Sequence, residues 1–250
     1  MPTMQQILER QLQRWELEKR IRTSAAVEEP APTRAAAGPH APVAPLVTVS
    51  RQKGAGGSSL AASLAACFRY TLLDRDLLDR ICGSTDTRRR LLASLDEHVK
   101  PVVTTWVEAL LGNEWVDAGD YMRALVETVG SIAALGGAVI VGRGANFIVG
   151  PARGFHVRVV APREVRVARI AARDHVAEKE ALRRVETADR DRHEFIRRQF
   201  HREIDDAVAY DLVINTGYVD LDTATDLVVK AALEKFERLR PAQTAAAAAR

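Results

Sequence analysis

The stretch Leu46–Phe68, LVTVSRQKGAGGSSLAASLAACF, sets the tightest limit on how this chain can fold. A β-branched run, with Val47 and Val49 on one face, breaks into glycines, and the glycines open an alanine- and leucine-rich helical segment. Gly54, Gly56 and Gly57 permit backbone angles closed to other residues, so successive amides can turn toward a common anion. The helix predicted from Ser58 adds its free N–H groups and the positive end of its dipole. Gly54, Ala55, Gly56, Gly57, Ser58 and Ser59 are therefore the candidate phosphate cradle. The common version of such a loop reads G-x-x-x-x-G-K-[ST], and its lysine reaches the outer phosphates. Here the lysine's place is taken by Gly57, and Arg51 and Lys53, just ahead of the glycines, are the nearest cations. A hydroxyl of Ser58 or Ser59 could hold Mg2+ or a water bound to it.

Downstream, apolar runs alternate with helical patterns. Strands are expected at 46–50, 70–73, 138–141, 155–161 and 212–215, with helices over 58–67, across 86–136, over 162–175, 178–209 and 220–239. Short Val/Ile runs flanked by helices indicate an α/β fold: three layers, with a parallel sheet between helices. Upstream, Met4, Leu8, Leu12 and Trp15 form one stripe of an amphipathic helix within residues 1–22. Residues 23–45 are dense in proline and alanine and read as a flexible linker. The expected domain runs over 46–240, followed by a disordered tail, 241–250. The tethered helix could dock on its own domain, pair with a second copy or bind a partner.

Composition excludes more than it selects. Lys+Arg total 36, most of them arginine, yet the net charge is only +3 and no basic run is long enough to argue for nucleic acid. Arginine's planar fork suits phosphate oxygens. Cys67 and Cys82 show neither metal-ligand spacing nor a disulfide framework, and Cys67 is expected as a small core residue. The first residues are polar and charged, and no apolar run reaches the length of a membrane span. A reducing cytoplasm is the expected location. No G-x-S-x-G elbow is present, and His40, His98, His156, His175, His193 and His201 show no ligand pairing. His193 and His201, eight apart on a long charged helix, read as a solvated face.

Five segments occur in order: VSRQKGAGGSSLAASLA, LLDRDLLDRI, AVIVGRGANFI, DRDRHEFIRRQF and YDLVINTGYVDLDTA. Together they resemble the cytidylate kinase-like family of P-loop proteins over about residues 46–238. Members commonly show an SR…GxGG loop without the lysine, whereas true cytidylate kinases read G-x-G-K-G-T. The resemblance implies a P-loop NTPase fold, with ATP and Mg2+ as cofactors and a nucleoside monophosphate or similar phosphorylated small molecule as partner. It assigns the donor's phosphates to Gly54, Gly56, Gly57, Ser58 and Ser59. It places acceptor binding on Asp74 and on Arg80 six residues later, although a solvated helix arginine explains Arg80 equally well. Arg143 of the segment GRGAN matches an acceptor-binding arginine, and Arg123 roughly matches another. Gly144 stands where cytidylate kinases carry an aspartate that helps recognise the nucleoside.

In the segment DRDR the resemblance gives Asp189 to the acceptor and Arg192 to phosphate; an i, i+3 ion pair would also explain them. Arg166, Arg169 and Arg173 share a helix face, either solvated or leading into a lid. Trp106, Trp115 and Tyr121 could pack the helical insert or stack on a base.

The expected activity is Mg2+-dependent transfer of the γ-phosphoryl of ATP to CMP, dCMP or a similar phosphate acceptor. Arg143, Arg192 and Arg51 would supply the charge the loop lysine normally brings. A kinase for another small acceptor, such as a sugar phosphate, is a further possibility. The alternative from another class is a catalytically impaired nucleotide-binding scaffold, with the N-terminal helix as its interaction face.

Overall fold

The computed structural model describes residues 45–239, apart from 96, 98 and 113–118, together with Glu9 and Gln13. Five parallel strands form one sheet in the order β2-β3-β1-β4-β5: β1 Leu46–Arg51, β2 Thr71–Leu73, β3 Ala138–Val141, β4 Phe155–Val160 and β5 Leu212–Asn215. The helices are α1 Gly57–Phe68, α2 Arg75–Gly83, α3 Thr85–Ala93, α4 Val99–Leu111, α5 Asp120–Leu135, α6 Ala145–Val149, α7 Arg163–Asp174, α8 Glu178–Phe200 and α9 Leu221–Leu239. The stripe Met4, Leu8, Leu12 and Trp15, the linker, the tail, His98 and Trp115 lie outside the described residues. Glu9, helical where described, pairs with Arg90 of α3 at 3.0 Å. Among the described residues no helix is long and apolar enough to cross a membrane.

Period-two alternation sorts the strand residues onto two cores. Val47, Val49, Val139, Val141, Val157 and Val159 face α1 and α9, whose Leu60, Leu64, Ala224 and Val228 are fully buried against them. Leu46 and Ile140 face the other way, into a core with Leu78 of α2, Leu125 and Ile132 of α5, Ile148 of α6 and Phe200 of α8. On that second face β1 and β4 carry polar residues in register, Thr48 beside His156 and Ser50 beside Arg158.

Among the boundaries that differ from the expectation, two have a clear local reason. Tyr70 precedes β2 and stacks on Phe68 with ring centroids 5.1 Å apart. The long helix ends at Phe200, because His201 turns left-handed (φ 48) and its N–H caps Arg197 O. A 3-10 turn, Ala207–Ala209, then leads into β5. Cys67 is exposed and is not the core residue expected; Cys82 is the buried cysteine.

Candidate active site

The glycine loop joins the carboxyl end of β1 to α1, and its shape follows from two left-handed glycines, Gly54 (φ +82) and Gly56 (φ +77). A Cβ on Gly54 would lie 2.6 Å from the carbonyl oxygen of Arg166, so the loop packs directly on the backbone of α7. Leu60 N–H is taken up by Gly56 O at 3.0 Å, which leaves the first-turn amides of Gly57, Ser58 and Ser59 without intrahelical acceptors. Ala55 is fully buried and its amide donates to Gln52 O, so its contribution is to the loop's packing. Ser58 and Ser59 are exposed at the start of α1. No group of three His, Cys, Asp or Glu is arranged for a metal among the described residues. Mg2+ takes few protein ligands and completes its octahedron with water and substrate phosphates. One of the two serine hydroxyls would hold it beside the donor's phosphates, where it would neutralise charge on the transferring group.

Arg51, the last residue of β1, occupies the space that a loop lysine would need. A Cβ on Gly57 would fall well within 3.0 Å of Arg51 Cβ, and one on Gly142 would collide with Arg51 Nη1. The side chain is thus threaded between two glycines. Its Nε has no hydrogen-bond partner among the described residues. Burial, with Arg192, Arg75 and Arg143 nearby and only partly offset by Asp74, lowers its pKa to about 10. A half-buried guanidinium among other guanidiniums is a place prepared for an anion.

The segment after β3 is left-handed at three successive residues: Gly142 (φ 81), Arg143 (φ 54) and Gly144 (φ 65). The middle one is costly for a side-chain-bearing residue, and it is held from outside. Asp79 of α2 accepts Arg143 Nε at 2.9 Å and pairs with Nη2 as well. Tyr121 OH donates to Asp79 at 2.8 Å, and the Tyr121 and Phe195 rings lie 5.5 and 5.3 Å from the Arg143 guanidinium. Burial works against the Asp79 charge, but these donors outweigh it and hold its pKa below the usual range.

Helix α8 closes the site from above. Asp189 accepts from Lys53 N at 2.8 Å and from Arg192 Nη1 at 3.1 Å, and its second oxygen pairs with Arg166 Nη1. Arg166 is buried, and it also donates to Ala161 O and Lys53 O. It is therefore a strut between loop and helix, not the solvated arginine its spacing allowed. Arg169 is likewise engaged, with Thr216, whereas Arg173 is exposed beside Asp174.

Beneath the cleft, the in-register polar residues form a buried layer. Thr48 Oγ1 meets His156 Nδ1 at 2.7 Å, and Arg158 Nη1 donates to Ser50 Oγ at 2.9 Å. Arg158 Nη2 reaches Asp205, which also accepts from His193 Nε2 at 2.6 Å. His193 Nδ1 lies 2.7 Å from Asp189 O, so both ring nitrogens face acceptors and the doubly protonated ring fits best. Burial opposes that charge, but the Asp189 carbonyl and the Asp205 carboxylate prevail and raise the pKa above 6.5. A raised folded pKa means this contact is fully stabilising below about pH 6.5 and is lost as pH climbs through the folded value. An NMR titration of the His193 ring should show the elevated pKa, and Asp205→Asn should return it toward 6.5. An unchanged titration in that variant would refute the pairing.

The resulting cleft, about 290 Å3, opens at the carboxyl ends of β1 and β3. Arg51, Arg143 and Arg192 line it together. Arg75 lines it too, and sequence reasoning missed it although it stands directly after Asp74, where strand-end residues gather at ligands. Asp189 sits at the cleft's edge through Arg192 and Lys53. Asp74 caps α2 by accepting Leu77 N at 2.9 Å. Arg80 and Arg123 are exposed, and neither lines the cleft. Trp106 packs on Gly130 and under Arg153. The other unanticipated residues were Asp79, Arg158 and Asp205. For Arg158 a signal existed: polar His156 and Arg158 alternate with Phe155, Val157 and Val159.

A parallel sheet in this order, with a glycine loop after its first strand, defines a P-loop protein. More narrowly, the chain belongs to the cytidylate kinase-like family, which it matches over residues 46–218. Over 69 residues it is 38% identical to a cytidylate kinase of Sulfolobus acidocaldarius, a stretch covering 28% of this chain and 38% of that protein. A 101-residue stretch, 40% of this chain, is 32% identical to a uronate isomerase of Corynebacterium glutamicum, spanning 20% of that enzyme. The chain thus spans well under half the length of either curated relative. The fold is shared with an uncharacterised protein from Eubacterium ventriosum, with TM-score 0.52 and 24% identity over 75% of this chain and 98% of that one.

Proposed function

We propose that the protein is an ATP- and Mg2+-dependent phosphotransferase that moves the γ-phosphoryl group to a nucleoside monophosphate or a similar phosphorylated small molecule. The observation that carries this reading is Arg51, whose side chain runs from the strand past Gly57 of the loop to bring a cation to the cleft beside Gly142, where the loop itself has none. Phosphoryl transfer needs positioning and charge neutralisation more than covalent chemistry. The free amides of Gly57, Ser58 and Ser59 would hold the donor's phosphates, and Arg51 would take the position between donor and acceptor. Arg143 and Arg192 reach the same cleft from the acceptor side and from the covering helix. The Asp189 contact with Lys53 N ties that helix to the loop, so Arg192 would already stand at the cleft when substrate binds. The family resemblance puts CMP and dCMP first among acceptors to try.

An ADP-release assay with CMP, dCMP, UMP and base-free phosphates tests the reading. Arg51→Met should lower transfer by about 100-fold or more, while circular dichroism shows the fold retained. ATP binding with no transfer to any acceptor would leave the family's fold serving as a nucleotide-responsive scaffold instead.

A further inference from the structure

Resting on the phosphotransferase reading, we infer that Arg75 binds the phosphate group of the acceptor. The strand order gives the first ground. The glycine loop leaves β1, and Arg143 follows β3, the neighbouring strand. Arg75 opens α2 after β2, the edge strand beyond β3, and lines the same cleft. It therefore enters the cleft from the side away from the loop, across Arg143. The loop amides keep the donor's phosphates at the β1 end, so a phosphate met by Arg75 belongs to the second molecule.

The second ground is which guanidiniums are already engaged. Arg143 gives both Nε and Nη2 to Asp79, and Arg192 gives Nη1 to Asp189. Arg75 makes no hydrogen bond among the described residues; its one ion-pair contact runs from Nε to Asp79 at 3.7 Å. That distance is beyond a hydrogen bond. Both terminal nitrogens are left to present a fork that fits two phosphate oxygens. The side chain is 64% exposed, so packing does not account for its place at the cleft. Arg80, further along the same helix, is exposed and does not line the cleft.

The third ground is electrostatic. Arg75 is the first residue of α2, where the positive end of the helix dipole disfavours a cation. Asp74 and Asp76 on either side carry the charge that this end favours. Burial lowers the pKa of Arg51 and of Arg192, and the charge of Arg75 adds to the effect on both. So placed, Arg75 adds little to the fold, and an anion in the cleft supplies the counter-charge it otherwise shares with Arg143 at Asp79.

The test uses the full chain with Mg2+ and a non-hydrolysable ATP analogue in the donor's place, and inorganic phosphate as the probe. Arg75→Gln should weaken phosphate binding, read by calorimetric titration, by about ten-fold or more. Arg80→Gln should leave it unchanged, and Arg75→Lys should fall between, because an ammonium replaces the fork. Without ligand, the Tm of Arg75→Gln should rise by about 1–2 °C as the cation leaves the helix start. With ATP and an acceptor that is turned over, Arg75→Gln should raise the acceptor's KM by about ten-fold or more and leave the KM for ATP unmoved. Unchanged phosphate binding in Arg75→Gln would overturn this inference and leave the phosphotransferase reading intact. So would a lowered Tm with an equal rise in both KM values, the mark of a structural role. Phosphate binding that depends on Arg75, with transfer to no acceptor, would sink the phosphotransferase reading alone and keep Arg75 as the anion's ligand.

Discussion

Restoring the missing lysine should damage the protein. Gly57→Lys is expected to lower transfer by about 100-fold or more, because the new Cβ collides with Arg51 Cβ and Cγ and drives the guanidinium out of its slot. Position 57 is buried at the start of α1, so the strain cannot be relieved by swinging the side chain alone. Overpacking of this kind costs about 1–3 kcal/mol, which a thermal melt will read. The decisive comparison is the double variant Arg51→Gly/Gly57→Lys, in which the Cβ and Cγ of residue 51, and with them the collision, are removed. Its Tm should return close to that of the parent, and ATP should again raise it. If Gly57→Lys alone were as stable and as active as the parent, Arg51 would not be occupying the lysine's place.

Asp189→Ala should produce the largest loss of stability. The carboxylate and its partner Arg166 are 16% and 10% exposed, and the same carboxylate satisfies Lys53 N and Arg192. Removing one partner of a buried pair leaves an uncompensated charge and costs about 3–5 kcal/mol. For a chain of this size that is a fall in Tm on the order of 10 °C. Asp189→Asn should fall between, since one amide oxygen can still accept from Lys53 N while the guanidiniums lose their counter-charge. Hydrogen exchange should show the loop amides losing protection together with the middle of α8. A loss of under about 1 kcal/mol in Asp189→Ala would mean that the pair is solvated and does not tie the helix to the loop.

The architecture was legible because it rests on local signals. Ala138–Val141 and Leu212–Asn215 stand as strands where their apolar runs place them, and the glycine loop follows from Gly54 and Gly56. The site was legible only in part. Arg143 and Arg192 could be placed by motif, and both reach the cleft. Asp74, Arg80 and Arg123 were placed by matching the resemblance's spacing, and spacing does not say which way α2 or α5 turns a side chain. The pairings of Arg143 with Asp79 and of Arg158 with Asp205 join residues 64 and 47 positions apart. They depend on helix orientation and strand register, which no short window contains. Phe200 against Gly144 is the same kind of fact: each residue is ordinary by itself, and only the tertiary fold makes one exclude substitution at the other.

The Arg51–Gly57 interlock bears on how such a loop can change over time. With any side chain at 51 in this backbone a lysine at 57 is sterically blocked, because the collision is with the Cβ; with Gly57 kept and Arg51 lost, the cleft beside the loop lacks its guanidinium. Either single step back crosses a defective intermediate, so the two positions must move together or not at all. A lineage that has entered this arrangement is held there by geometry, and its descendants should carry the two residues as an inherited pair.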